Sequence, residues 1–175
     1  MPAWILISMR MLYGGASPRS LPASTAALLE AAALYAIVSV VDAALVVPGG
    51  HAIGLGLADL GFLTVATAGI LATRRRLHRW RQTLLALLGV GIWLTLPSIV
   101  LNAVWSTSTE GDAAHHAPLA VQLLLAAVLC GSIGVVARIF RDALDVDLHT
   151  AVTVSLTYFL ADYAVLVALP ARILN

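Results

Sequence analysis

Apolar residues run almost without interruption through five stretches of this chain, and polar residues gather between them. The stretches cover about 25–47, 52–73, 82–105, 118–140 and 150–169. A helix needs ~20 mostly apolar residues to cross the hydrocarbon core of a bilayer, and each stretch meets or approaches that length. Pro48-Gly49-Gly50 ends the first, an arginine cluster ends the second, and a polar segment from Ser106 to Ala117 ends the third. Pro170 ends the fifth. The ~10-residue alternation of membrane β-strands is not visible. The pattern predicts an all-α polytopic membrane protein with five transmembrane helices and short loops. Its parts are an N-terminal segment 1–24, a helical domain 25–169 and a short C-terminus 170–175.

The N-terminal segment carries its own short apolar run, Trp4-Ile5-Leu6-Ile7 with Met9, Met11 and Leu12. Gly14-Gly15, Pro18 and Pro22 then break it. This predicts a short interfacial helix with Trp4 and Arg10 among the headgroups, or one docked on a partner protein. The stretch 25–47 is too long, and starts too far from Met1, for the apolar region of a cleavable signal peptide.

The arginines orient the pattern. Arg10 and Arg19 precede the first stretch, and Arg74, Arg75, Arg76, Arg79 and Arg81 join the second to the third. Arg138 and Arg141 lie between the cores of the fourth and fifth, and Arg172 alone falls at the opposite end. Basic residues stay on the cytoplasmic side, so five crossings put the N-terminus in the cytoplasm and the C-terminus outside. A bacterial-type inner membrane is the expected location.

Composition agrees. Of 175 residues, 61% are hydrophobic and 11% charged, with a mean hydropathy of +0.96, whereas soluble domains are about 45–50% apolar and about 25% charged. The net charge of +1 gives no electrostatic footprint for nucleic acid. Cys130 is the only cysteine, so an intramolecular disulfide and a cysteine zinc site are both excluded. It reads as a small buried hydrophobe.

Three carboxylates interrupt the apolar stretches: Asp42, Asp59 and Asp162. Insertion into lipid costs ~2.5–3.5 kcal/mol for such a residue, so each is expected to face away from lipid. On the five-span topology all three lie roughly 8–11 Å inside the outer edge, at ~1.5 Å per residue. Helical spacing aligns Tyr35, Ser39 and Asp42, then Ser155, Tyr158 and Asp162, then Thr95, Ser98 and Asn102 beyond an expected kink at Pro97. Converging stripes would form one polar cavity open to the outside, able to exchange protons or hold a cation. Hydrogen bonding between helices is the other reading of the same residues.

Further polar groups have simpler readings. Glu30, following Ser24 and Thr25, complements a helix N-terminus, or pairs with Arg19 or the basic segment. Arg74, Arg75, Arg76, Arg79 and Arg81 fix topology, or contact anionic lipid. Glu110, Asp112, His115 and His116, and separately Asp145, Asp147 and His149, lack zinc-site spacing and read as polar loops. Gly50, Gly54 and Ala58, like Ala127 and Gly131, form small-residue edges at which helices approach closely, within the chain or against another subunit. No nucleophile–base arrangement and no cofactor motif is visible. Gly54-Leu55-Gly56 lacks the preceding strand of a dinucleotide turn.

The five spans, the cytoplasmic N-terminus and the stretch Gly14-Gly15-Ala16-Ser17-Pro18-Arg19-Ser20-Leu21-Pro22-Ala23-Ser24 resemble the small bacterial members of the Yip1 family. The acidic aromatic Gly-Pro motif of the eukaryotic members is absent. The resemblance implies a membrane adaptor or organiser without catalytic residues. The expected function is a non-enzymatic accessory or scaffold subunit whose partners are lipids and other membrane proteins, or further copies of itself. The competing expectation is a small proton- or cation-linked transporter using Asp42, Asp59 and Asp162.

Overall fold

The computed structural model describes residues 2–47, 50–108 and 118–173. Among them every regular element is helical: α1 (Ala3–Leu12), α2 (Thr25–Val46), α3 (His51–Thr73), α4 (Trp80–Ser108), α5 (Leu119–Leu144) and α6 (Leu148–Ile173). Short 3₁₀ turns cover Pro18–Ser20 and Leu77–Arg79. Among the described residues four segments are long and apolar enough to cross a membrane: Thr25–Val46, His51–Thr73, Leu77–Ser106 and Leu119–Leu144. α6 matches α5 in length, 26 residues, and carries more polar positions.

The helices begin and end for local reasons. Ser24 caps α2 by accepting from the amide of Ala27. Pro118 precedes α5, where its missing N–H is no loss. Asp145 ends α5 in the left-handed conformation, and Asp147 caps α6 with Oδ2 on the Thr150 amide and Oδ1 on its hydroxyl. α4 continues as helix past Pro97, and α6 past Pro170. Pro170 therefore does not end the last helix.

The five long helices close a ring. α2 packs on α3, α3 on α6, α6 on α5, α5 on α4 and α4 on α2. α4 has the most buried face, with Leu84 to Val90 forming the centre of the core together with Leu63, Leu71, Val136 and Phe140. Most other large apolar side chains point outward, among them Ile37, Val65, Leu123 and Leu160. A soluble protein would bury these; helices facing lipid need not, since lipid tails are as apolar as leucine.

α1 is a helix, as its apolar run predicts, and Trp4 packs inward from it. It is 4% exposed and lies with Ser8 against Gly89 of α4. At ~1.5 Å per residue Gly89 sits ~13 Å inside the first residue of α4, so α1 wedges into the bundle. Arg10 remains exposed. The Trp4 indole N–H donates to Glu30 Oε2 at 3.3 Å.

Candidate functional site: a polar cavity inside the helix ring

The ring encloses a cavity of about 140 Å³ to which all five long helices contribute. Tyr35 comes from α2, Asp59 from α3, Thr95 and Ser98 from α4, Ser132 from α5, and Tyr158 and Asp162 from α6. A second cavity of about 280 Å³, lined by Ser39, Asp42, Gly56, Asp59 and Thr95, adjoins it toward the C-terminal end of α2. Asp59 lines both.

Each polar residue is placed by helix packing. Gly56 and Gly91 have no side chain because α2 presses on α3 and α4 there. A Cβ on Gly56 would sit 2.6 Å from Val40 Cγ2, and one on Gly91 2.6 Å from the Tyr35 ring. The Tyr35 hydroxyl donates to Asp59 Oδ2 at 2.8 Å and Ser39 Oγ donates to the same oxygen at 2.9 Å. Asp42 turns instead to α4, where Asn102 Nδ2 donates to its Oδ1 at 3.0 Å. Asp162 lies beside Tyr158, and its Oδ1 is buried without a hydrogen-bond partner among the described residues. Tyr158 itself stacks among Phe62, Phe140 and Phe159, with ring centroids 5.4–6.0 Å apart.

The expected stripes are thus re-sorted. Tyr35 and Ser39 serve Asp59, across the helix interface, and not Asp42 on their own helix. Ser155 leaves the cavity altogether, donating to the Ile133 carbonyl of α5 at 3.1 Å. Thr95 and Ser98 return their hydroxyls to Gly91 and Leu94 carbonyls. What gathers is Tyr35, Asp59, Tyr158 and Asp162 in one cavity, with Ser39, Asp42 and Asn102 beside it toward the C-terminal end of α2. Among the described residues no basic side chain lines either cavity. The arrangement can join α2, α3 and α4 by hydrogen bonds, and it can hold a proton or a small cation on Asp59 and Asp162.

At the end of the bundle where α3 joins α4 and α5 joins α6, a different cluster forms. Arg19, Arg76 and Arg79 all pair with the Asp145 carboxylate, Arg76 at 3.2 Å and Arg79 at 2.9 Å. Arg79 also donates to the Asp142 and Ala143 carbonyls, which closes the C-terminus of α5. Partial desolvation pushes the Asp145 carboxyl up, but the charge and hydrogen bond of Arg79, with the charges of Arg19 and Arg76, outweigh it. The carboxyl is held below the usual carboxylate range. Hydrogen bonds from Thr150 hold Asp147 low as well.

The other sequence-predicted residues fall in several places. Arg19 pairs with Asp145 and not with Glu30. Arg76 and Arg79 are tied down, whereas Arg74, Arg75 and Arg81 are exposed. Asp145, Asp147 and His149 hold no metal-ligating arrangement; among the described residues no group of His, Cys, Asp or Glu does. Glu110, Asp112, His115 and His116 lie outside the described residues. Cys130 is exposed on α5 and not buried. The edge glycines Gly50, Gly54 and Gly131 have nothing within 4 Å of an added Cβ, so their helices do not approach one another there within the chain.

Sequence reasoning missed the Trp4–Glu30 bond, the Asp145 cluster and the contact between Gln82 Nε2 and the Leu21 carbonyl at 3.1 Å. A signal for the first was present in Gly89, a glycine inside an otherwise bulky helix face. Comparison of the chain with family models, with curated proteins and with solved structures found no match.

Proposed function

We propose that this chain is a non-enzymatic membrane accessory or scaffold protein whose helix faces bind helices of other membrane proteins. In this reading it crosses a bacterial-type inner membrane five times, with its N-terminus in the cytoplasm. The near-confinement of arginine to one end, and the place of α6 in the closed ring, support the fifth crossing. The Yip1-like arrangement is in keeping with an organising role.

The observation that carries the reading is the contrast between two sets of glycines. Gly56, Gly89 and Gly91 meet α2 or α1 at van der Waals contact or closer. Gly54 and Gly61 on α3, and Gly131 and Gly134 on α5, meet nothing. Small residues in membrane helices serve close helix approach, and these edges are open for a helix from outside the chain. The test is purification from native membranes in mild detergent, with Gly54→Ile and Gly131→Ile beside the parent. A co-purifying membrane protein, lost in one of the variants, is the expected result. A stable lone monomer from the parent chain rejects the reading, and recovery only as a homo-oligomer replaces the partner with a second copy.

A second reading, proton- or cation-linked transport, is favoured by one observation: Asp59 and Asp162 share a cavity that no basic side chain lines. Flux in proteoliposomes would fall in Asp59→Asn and Asp162→Asn proteins that still fold. Equal flux in parent and variants, or none in the parent, rejects it.

A further inference from the structure

A groove of about 490 Å³ runs between α3 and α6, separated from the polar cavity by Tyr158, which lines both. Its α3 wall includes Phe62, Ala66 and Gly69, and its α6 wall Val154 and Ala161. Gly69 leaves it open, since a Cβ there would meet nothing within 4 Å. Several threonines line it without making it polar. Thr73, Thr153 and Thr157 donate to the carbonyls of Ile70, His149 and Thr153 at 2.7, 3.0 and 2.9 Å. Thr150 donates to Asp147 at 2.7 Å. With the hydroxyls satisfied, the wall offers little to a polar ligand and much to a hydrocarbon.

The groove has one charged lining residue, Arg74, at its cytoplasmic mouth. From Phe62 to Arg74 is ~18 Å at ~1.5 Å per residue, close to the ~15 Å half-thickness of a bilayer core. The groove therefore matches the depth of one leaflet, with the arginine at headgroup level. The acids near the mouth are engaged: Asp145 by Arg19, Arg76 and Arg79, and Asp147 by Thr150. Arg74 has no ion pair among the described residues and stands exposed. An apolar channel of leaflet depth, ending in an unpaired cation, is complementary to an amphiphile with a negative head.

We propose that the α3–α6 groove holds an acyl chain of an anionic phospholipid from the cytoplasmic leaflet, with the lipid phosphate on Arg74. This needs α3 and α6 to stand in the bilayer, and does not depend on the accessory role. The groove fixes where the lipid lies and Arg74 fixes its charge.

The test is native mass spectrometry of the full chain, titrated with dioleoylphosphatidylglycerol and dioleoylphosphatidylcholine, which share their acyl chains. One phosphatidylglycerol should bind about fivefold more tightly than phosphatidylcholine, the factor expected of one arginine near the headgroup. Arg74→Gln should abolish that preference and Arg81→Gln, at an exposed arginine that does not line the groove, should keep it. Gly69→Leu, which enters open space, should displace both lipids. Equal binding of the two lipids by the parent overturns the proposal, as does an equal loss in both arginine variants, which signals diffuse attraction. Retention of lipid by a folded Gly69→Leu protein also overturns it. Should that variant not fold, the two arginine variants decide.

Discussion

The Tyr35 hydroxyl donates a 2.8 Å hydrogen bond to Asp59, joining α2 to α3. Hydrogen bonds between membrane helices average ~0.6 kcal/mol and reach ~1.7 kcal/mol. Tyr35→Phe keeps the ring against Gly91 and removes the donor. Its stability cost is expected within that range, measured by reversible unfolding in mixed micelles. A double-mutant cycle with Asp59→Ala isolates the pair, and a coupling energy indistinguishable from zero would show that the bond does not hold α2 to α3.

Gly56 and Gly54 are two residues apart on α3 and predict opposite outcomes. An alanine Cβ at 56 would lie 2.6 Å from Val40 Cγ2 and 2.9 Å from the Val40 backbone nitrogen. Backbone cannot swing aside as a flexible side chain does, so α2 and α3 must separate. Overpacking of this kind costs about 1–3 kcal/mol. Gly54→Ala meets nothing and should change monomer stability by less than about 0.5 kcal/mol. Thermal unfolding of the two variants side by side distinguishes them, and equal shifts would contradict the packing described.

The same two glycines show what was legible in the sequence. Hydropathy located all five long helices within a few residues, because apolar length depends on the chain alone. Spacing also aligned Tyr35 and Ser39 with Asp42. It could not say that Tyr35 and Ser39 reach Asp59 and not Asp42, because that depends on the rotation of α2 against α3, which the Gly56–Val40 contact sets. Gly54 and Gly56 look alike in sequence, yet one is open and one is closed. Likewise the arginine run read as a topology signal, while its partner Asp145 lies 66 residues beyond Arg79 in a loop that only folding brings near.

Asp145 makes stability depend on pH in one direction. Desolvation raises its carboxyl, but Arg79, Arg19 and Arg76 together outweigh that and hold it below the ordinary range. A depressed folded value stabilises the ionised form, so the contribution is complete above the unfolded value of about 3.9. It is lost as pH falls through the folded value. Asp145 should therefore contribute nothing to any change between pH 7 and pH 5. Below about pH 4 the melting temperatures of the parent and Asp145→Asn should converge. A constant difference down to pH 2.5 would mean that Asp145 stabilises the fold other than through its ionised carboxylate. Asp147, held low by Thr150, acts in the same window, so Asp145→Asn is best compared also in an Asp147→Asn background.

α1 is held in place by the fit of Ser8 and Trp4 over Gly89. A Cβ at Gly89 would lie 2.6 Å from Ser8 Cβ and 3.7 Å from the Trp4 ring. Gly89→Val adds two further carbons and leaves no position for α1 as it now packs. The long helices touch one another elsewhere around the ring, so the variant is expected to release α1 without opening the bundle. Release would break the Trp4–Glu30 bond and expose the chain around Arg10, a trypsin site held in helix in the parent. Cleavage after Arg10 should speed up by tenfold or more, the factor that follows from losing ~1.4 kcal/mol of docking energy, well inside the ~1–3 kcal/mol of an overpacked contact. Proteolysis followed by intact mass gives the rate directly. Unchanged cleavage in a folded Gly89→Val protein would mean that α1 is held by Leu21, Met11 and their neighbours and not by the glycine contact.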